Sequence, residues 1–179
     1  AECGTLMARL NVEGNAMTGE ICEKLDVPFK RIGSLVAAFD DHDEKMIREL
    51  YERGVKNGVP DLRLIDADET RKMEPNIAEN VRGALYAPTA GVICPWEYTL
   101  AFIETAVRNG VELKLECEVT AIEKSGDVFT LSTTKGDIGT RFVVNAAGVH
   151  SQAVHEMFLP HEFTIHPVRG EYDLLDKSE

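Results

Sequence analysis

The stretch that most constrains the fold is Phe142-Val143-Val144-Asn145-Ala146-Ala147-Gly148, in which large apolar residues lead into small ones. Branched and aromatic side chains are typical of a buried strand. A glycine after such a strand permits a tight turn or a close approach of the backbone to a ligand. We therefore predict a strand over residues 141–145 that ends in a turn at Gly148. The residues alone leave open whether this turn contacts a ligand or only redirects the chain.

Turn residues upstream of this stretch predict a β-meander. Ser125-Gly126-Asp127 and Lys135-Gly136-Asp137 bracket runs of β-compatible residues, which is typical of hairpin connections. The predicted strands of this half of the chain are residues 111–115, 119–124, 128–133, 141–145 and 163–175, with a short helix at 152–158.

Helices and strands alternate in the first half of the chain. Residues 6–25 have a loose helical spacing of apolar residues, although Gly14 and Gly19 weaken it and leave open a kinked or two-piece helix. Asp40 or Asp41 is a predicted N-cap, and Pro95 suits the first position of a helix. The remaining predicted elements are a mostly buried strand at 31–39, short strands at 62–65, 81–87 and 91–94, and a helix that Asp66 caps. This mixture favours an α/β or α+β protein.

The charge and cysteine content limit the class of partner and the compartment. The chain has 31 acidic and 19 basic residues, a formal net charge of −12, which repels phosphate backbones and anionic lipids. We therefore expect neither nucleic acid nor a membrane surface as a partner. Apolar runs fall short of the roughly 20 residues of a membrane span. The four scattered cysteines are expected to be free thiols in the cytoplasm.

Histidine and cysteine spacing predicts no metal site. His150 and His155 are five residues apart, as are His161 and His166, which is poor spacing for one helix face. We interpret most histidines as surface residues. The two ends of the sequence are interpreted as internal points of a longer chain, and the oligomeric state stays open.

Four segments, in this order and at these spacings, resemble one family. They are Phe-Lys-Arg-Ile-Gly-Ser-Leu at 29–35, Leu-Ile-Asp-Ala-Asp-Glu running to Met-Glu-Pro at 64–75, Gly-Val-Ile-Cys-Pro-Trp-Glu at 91–97, and residues 142–148 followed by Val-Arg-Gly-Glu-Tyr at 168–172. The family is the D-amino-acid-oxidase-like FAD-dependent oxidoreductases, and the resemblance is to its glycerol-3-phosphate dehydrogenase and L-2-hydroxyglutarate oxidase members.

The resemblance implies two interleaved lobes. Residues 1–28 and 95–158 would form part of a Rossmann-like FAD-binding lobe with the β-meander, and residues 29–94 and 159–179 an antiparallel-sheet substrate lobe. The family's G-x-G-x-x-G turn, which places backbone amides against the pyrophosphate, does not occur in these 179 residues. We therefore expect this chain alone to bind FAD weakly or not at all.

The resemblance also implies cofactor and substrate contacts. Val119 would pair its backbone with the adenine edge, and Ala147 and Gly148 would lie against FAD. Arg169 and Arg31 can bind a substrate phosphate or carboxylate, although a solvent-facing or salt-bridged arginine is the commoner outcome for each. No catalytic residue is assigned within the chain.

The implied reaction is hydride transfer from a small hydroxylated substrate to FAD. Glycerol 3-phosphate is the first substrate hypothesis, a hydroxy acid such as L-2-hydroxyglutarate the second, and an amino acid the third. The alternative of another class is a non-catalytic module that binds a ligand or a subunit.

Overall fold

The computed structural model describes residues 1–173 of the chain. The chain divides into two compact units, the first from Ala1 to Val111 and the second from Glu112 onward. The helices are α1 (Leu6–Leu25), α2 (Asp41–Lys56), α3 (Ala67–Met73), α4 (Pro95–Arg108) and α5 (Ser151–Glu156). The strands are β1 (Phe29–Arg31), β2 (Ser34–Ala38), β3 (Arg63–Asp66), β4 (Gly83–Ala87), β5 (Gly91–Ile93), β6 (Val119–Ser125), β7 (Val128–Thr133) and β8 (Ile138–Thr140).

An antiparallel sheet of order β2-β4-β3 forms the centre of the first unit. Helix α2 covers it, and Ala38, Ile47 and Leu85 form a buried cluster against which Leu50 and Tyr51 also pack. Gly83 of the central strand lies between Ala38 and Asp66 of its neighbours. The apolar residues of an amphipathic helix thus meet the apolar face of the sheet, which supplies most of the stabilisation of the unit.

The predicted side-chain caps are present at the starts of α2 and α3. The Asp40 carboxylate accepts a hydrogen bond from the Asp43 N–H at 2.9 Å, and Asp66 accepts one from the Glu69 N–H at 2.8 Å. Each cap satisfies a backbone donor that has no partner within its helix. Pro95 is the first residue of α4. Helix α1 is continuous from Leu6 to Leu25 despite its two glycines, so the two-piece alternative is wrong.

The predicted single strand over residues 31–39 is wrong. It is divided at Gly33, which has a φ of 77°, so that β1 pairs with β5 while β2 joins the central sheet. A Cβ on Gly33 would lie 2.7 Å from the ring of Tyr86. The strand is also half exposed, because residues of β2 alternate between exposed and covered positions.

The second unit contains the predicted β-meander. Strands β6, β7 and β8 pair in sequence order and antiparallel. Gly126, at φ 59°, forms the first hairpin turn, and Gly136, at φ 102°, lies in the second connection. A 3₁₀ turn at Gly148–His150 leads into α5.

Three predicted strands are wrong within the described residues. Residues 111–115, 141–145 and 163–173 form no strand, while 174–175 lie outside the described residues. Phe142 and Val144 are 83% and 87% exposed. Their apolar pattern suits a strand, but a strand also requires a neighbour to satisfy its backbone groups, and no described segment pairs with them.

The fold class is confirmed as mixed α/β, with antiparallel pairing throughout the named strands of the described residues. None of the described helices combines the length and apolarity needed to cross a membrane.

Candidate functional site

The side chain of Asn145 makes two hydrogen bonds to the backbone on either side of the turn at Gly148. Its amide donates to the Ser151 carbonyl oxygen at 2.8 Å, and its oxygen accepts from the Ala147 N–H at 3.3 Å. The Ser151 hydroxyl donates to the Gly148 carbonyl. These local hydrogen bonds satisfy backbone groups that a neighbouring strand would otherwise satisfy. They therefore fix the conformation of the turn although no described strand pairs with it.

Gly148 combines a left-handed backbone with open space. Its φ is 57°, and a Cβ built on it would meet no heavy atom within 4 Å. No internal clash therefore excludes a side chain here, although only glycine adopts this conformation without strain. Open space in front of a left-handed glycine suits a ligand that approaches the backbone closely.

Val119 lies on the free edge of the meander. Both backbone groups of Glu118 bind Thr134, the residue after β7: the Glu118 carbonyl accepts from the Thr134 N–H at 3.0 Å, and the Glu118 N–H donates to Thr134 Oγ1 at 3.1 Å. Because backbone groups alternate along an antiparallel strand, Val119 directs its own N–H and C=O away from β7. Within the described sheet β6 is an edge strand, so these two groups are available to a ligand.

Arg31 lies in the first unit and is fixed by neutral acceptors. Its Nη1 donates to Asn15 Oδ1 at 2.9 Å and to the Thr89 carbonyl, and its Nη2 donates to the Asn15 carbonyl at 2.8 Å. The guanidinium also lies 5.2 Å from the ring centroid of Phe29. The structure therefore gives Arg31 a defined position rather than a free surface orientation.

Arg169 lies in the second unit and is a surface residue there. Its Nη2 contacts Glu171 Oε1 at 2.8 Å, and the side chains are 85% and 80% exposed. Exposed pairs of this kind contribute little to stability. Val119, Ala147 and Gly148 share the second unit with Arg169, whereas Arg31 does not.

Sequence reasoning missed Asn15 and Thr89, which fix Arg31. The available signal was weak: Gly14 and Asn15 are two poor helix formers in the interior of α1. A local conflict between propensity and structure often marks a residue kept for another reason.

A network of polar side chains connects α5 to the segment that follows it. Sequence reasoning did not predict this network. Glu156 Oε1 contacts His161 Nδ1 at 2.6 Å and accepts from Gln152 Nε2 at 3.0 Å. Gln152 Oε1 accepts from the Ile165 N–H at 2.9 Å. The hydrogen bond with His161, and then that with Gln152, lowers the pKa of Glu156 below its usual value.

This network should be lost in acid. A carboxylate with a lowered pKa contributes stability above its usual pKa and loses it as the pH falls through the lowered one. We expect the exchange protection of the Ile165 amide to fall when Glu156 becomes protonated, as measured by hydrogen exchange against pH. In Glu156→Gln, which has no carboxylate, this step should be missing. An identical step in that variant would contradict the assignment to Glu156.

The histidines and cysteines form no further site in the described residues. His155 is the one histidine that is not exposed, and its ring contacts Phe163 at a centroid distance of 5.0 Å. All four cysteines are free. No group of three or more metal-ligating side chains occurs within residues 1–173.

Comparison with known proteins decides the family. The family model described as FAD dependent oxidoreductase matches residues 2–179. The chain belongs to this family. Members are FAD enzymes, so the resemblance inferred from the four segments is confirmed, and FAD is the cofactor that the family uses.

Two relatives show which kinds of enzyme this chain is similar to in sequence. The chain is 47% identical over 178 residues to the glycerol 3-phosphate dehydrogenase of Caloramator mitchellensis, covering 99% of this chain and 37% of that protein. It is 30% identical to the mitochondrial L-2-hydroxyglutarate dehydrogenase of Homo sapiens, covering 96% and 39%. The chain thus spans less than half the length of these relatives.

A solved structure shows the same fold. The L-alpha-glycerophosphate oxidase of Mycoplasma pneumoniae, determined with FAD bound, superimposes with a TM-score of 0.80 at 22% identity, over 88% of this chain and 43% of that one. At this identity the likeness concerns the fold alone.

Proposed function

We propose that this chain is part of an FAD-dependent dehydrogenase that oxidises glycerol 3-phosphate. The observation that carries the proposal is the 47% identity over 99% of the chain to a glycerol 3-phosphate dehydrogenase. The open turn at Gly148 and the free edge at Val119 agree with a cofactor that approaches the backbone at both places.

The residues of this chain contribute contacts to FAD. Val119 offers an N–H donor and a C=O acceptor to the adenine edge, and Ala147 and Gly148 let the cofactor approach without an intervening side chain. The bound flavin supplies the hydride acceptor of the family's chemistry. The main anchor of the pyrophosphate lies in the family's G-x-G-x-x-G unit, so the isolated chain should bind FAD weakly or not at all.

The proposal includes a division into two lobes. Residues 1–28 and 95–158 belong to the FAD lobe, and 29–94 and 159–179 to the substrate lobe. The contact of α1 with α4 joins two parts of the proposed FAD lobe. The exposed Phe142 and Val144 suit a strand that another segment of the flavoprotein pairs with and covers.

Arg31 and Arg169 are each proposed as a group that can bind a substrate phosphate or carboxylate. A guanidinium binds phosphate or carboxylate oxygens through two parallel N–H donors. Arg31 is already oriented, whereas Arg169 would exchange its exposed pairing with Glu171 for the substrate. An arginine supplies the local positive charge that a small anionic substrate needs in a chain of net charge −12. We also propose that the protein is cytoplasmic.

L-2-Hydroxyglutarate is the second candidate substrate, because a 30% identical relative has that activity in its name. Amino acids come third, and a non-catalytic binding module is the alternative of another class. The visible absorbance of the purified full-length protein distinguishes these hypotheses: bound flavin supports an enzyme, and its absence supports a binding module.

The substrate assignment predicts a kinetic preference in the full-length protein. With an artificial electron acceptor, kcat/KM for glycerol 3-phosphate should exceed that for L-2-hydroxyglutarate or proline by at least about a hundredfold, since sites built for one polar group reject its analogues strongly. Glycerol, which lacks the phosphate group, is the matched control that tests whether this group is recognised. A preference for L-2-hydroxyglutarate would move the assignment to the second candidate.

A further inference from the structure

The guanidinium of Arg31 connects three parts of the first unit. It extends from β1 to Asn15 in the middle of α1 and to Thr89, which precedes β5. Gly91 permits this arrangement, because a Cβ there would lie 2.7 Å from the ring of Phe29 and 2.8 Å from the Lys30 carbonyl oxygen. Arg31 is thus oriented by long-range contacts rather than by its neighbours in sequence.

The acceptors that orient Arg31 are all uncharged. They are one side-chain amide oxygen and two backbone carbonyls. Arg63, Arg71 and Arg82, in contrast, each contact a carboxylate. Among residues 1–173 no carboxylate lies within ion-pair distance of Arg31. Arg31 therefore has no direct carboxylate partner within the described residues, although the chain has a net charge of −12.

Two of its donors also stay free within the described residues. A guanidinium has five N–H groups, and three of them are used by Asn15 and Thr89. The Nε–H and one Nη2–H remain. An immobilised cation with free donors loses little side-chain entropy when it binds an oxyanion.

Asn15 is the residue that sets this geometry. Its side-chain oxygen and its backbone carbonyl both accept from Arg31, while its Nδ2 donates to the Thr89 carbonyl at 3.1 Å. The Asn15 amide accepts from the arginine and donates to the carbonyl at once without adding charge. An aspartate would keep the acceptor but would neutralise the cation.

We propose that Asn15 is a positioning residue that holds Arg31, without a carboxylate partner, as the binding group for the phosphate of the substrate. The proposal rests on the proposed function for the identity of that anion. It assigns to α1 a role in substrate affinity through a residue that does not touch the substrate.

The test is Asn15→Asp in the full-length holoenzyme. The carboxylate should pair with Arg31, so that the KM for glycerol 3-phosphate and the dissociation constant of inorganic phosphate each rise about tenfold. We expect kcat and the thermal midpoint to change little. The control is Asn11→Asp, one turn earlier on α1, where the side chain contacts only the Met7 carbonyl at 2.8 Å. It adds the same charge at a side chain that makes no hydrogen bond with Arg31.

The outcomes separate the two proposals. If Asn15→Asp leaves both constants at the values of Asn11→Asp, Arg31 has only a structural role and the inference is overturned. If the unchanged protein binds phosphate and responds to Asn15→Asp but does not oxidise glycerol 3-phosphate, the anion site stands and the proposed function fails. Absence of saturable phosphate binding to the unchanged protein overturns the inference.

Discussion

Replacing Gly148 with valine is expected to remove most of the flavin from the purified full-length protein. Gly148 has a φ of 57°, which costs about 1–2 kcal/mol for a residue with a Cβ, and more for a β-branched one. The new side chain would also point into the open space in front of the turn, where we propose that FAD lies. We expect at least about a tenfold loss of FAD affinity, measured by fluorescence titration of the apoprotein.

Gly126→Val is the matched control for this substitution. Gly126 has a φ of 59° and equally open surroundings in the hairpin between β6 and β7. It should therefore suffer the same backbone strain without contacting the cofactor. If both variants lose flavin equally, strain alone explains the effect. If Gly148→Val retains normal FAD affinity, the proposed contact is wrong.

Replacing Gly83 with alanine is expected to produce the largest loss of stability in the first unit. A Cβ at this position would lie 2.6 Å from the backbone carbonyl oxygen of Ile65. That oxygen belongs to β3, which pairs with β4, so it cannot move without disturbing the ladder. We expect the free energy of unfolding to fall by about 3 kcal/mol, measured by urea denaturation.

The opposite result is expected at Gly14. This glycine lies inside α1, and a Cβ there would meet no heavy atom within 4 Å. Gly14→Ala should raise the free energy of unfolding by up to about 1 kcal/mol, because alanine loses less backbone entropy in a helix. Equal effects of the two alanine substitutions would contradict the packing described around Gly83.

Local signals in the sequence predicted the elements that local interactions determine. Asp40 and Asp66 cap helices through bonds to residues three positions later. Gly126 adopts the positive φ that a tight hairpin turn favours. In each case the responsible contacts lie within a few residues, so composition and spacing are sufficient to find them.

Elements that depend on distant partners were missed. The break at Gly33 reflects contact with Tyr86 on a neighbouring strand. Arg31 is fixed by residues 16 and 58 positions away, and the sequence identified the arginine without its partners. Residues 141–145 have the composition of a strand, but composition does not show whether a neighbouring strand is present.

The most direct test of the account is the visible spectrum of the full-length protein under anaerobic conditions, before and after addition of glycerol 3-phosphate. The account predicts an oxidised flavin band that bleaches on addition of this substrate, because hydride transfer reduces FAD. A flavin band that persists would contradict the substrate assignment and favour a hydroxy or amino acid. A protein purified without any flavin band would contradict the enzyme assignment itself and favour a binding module.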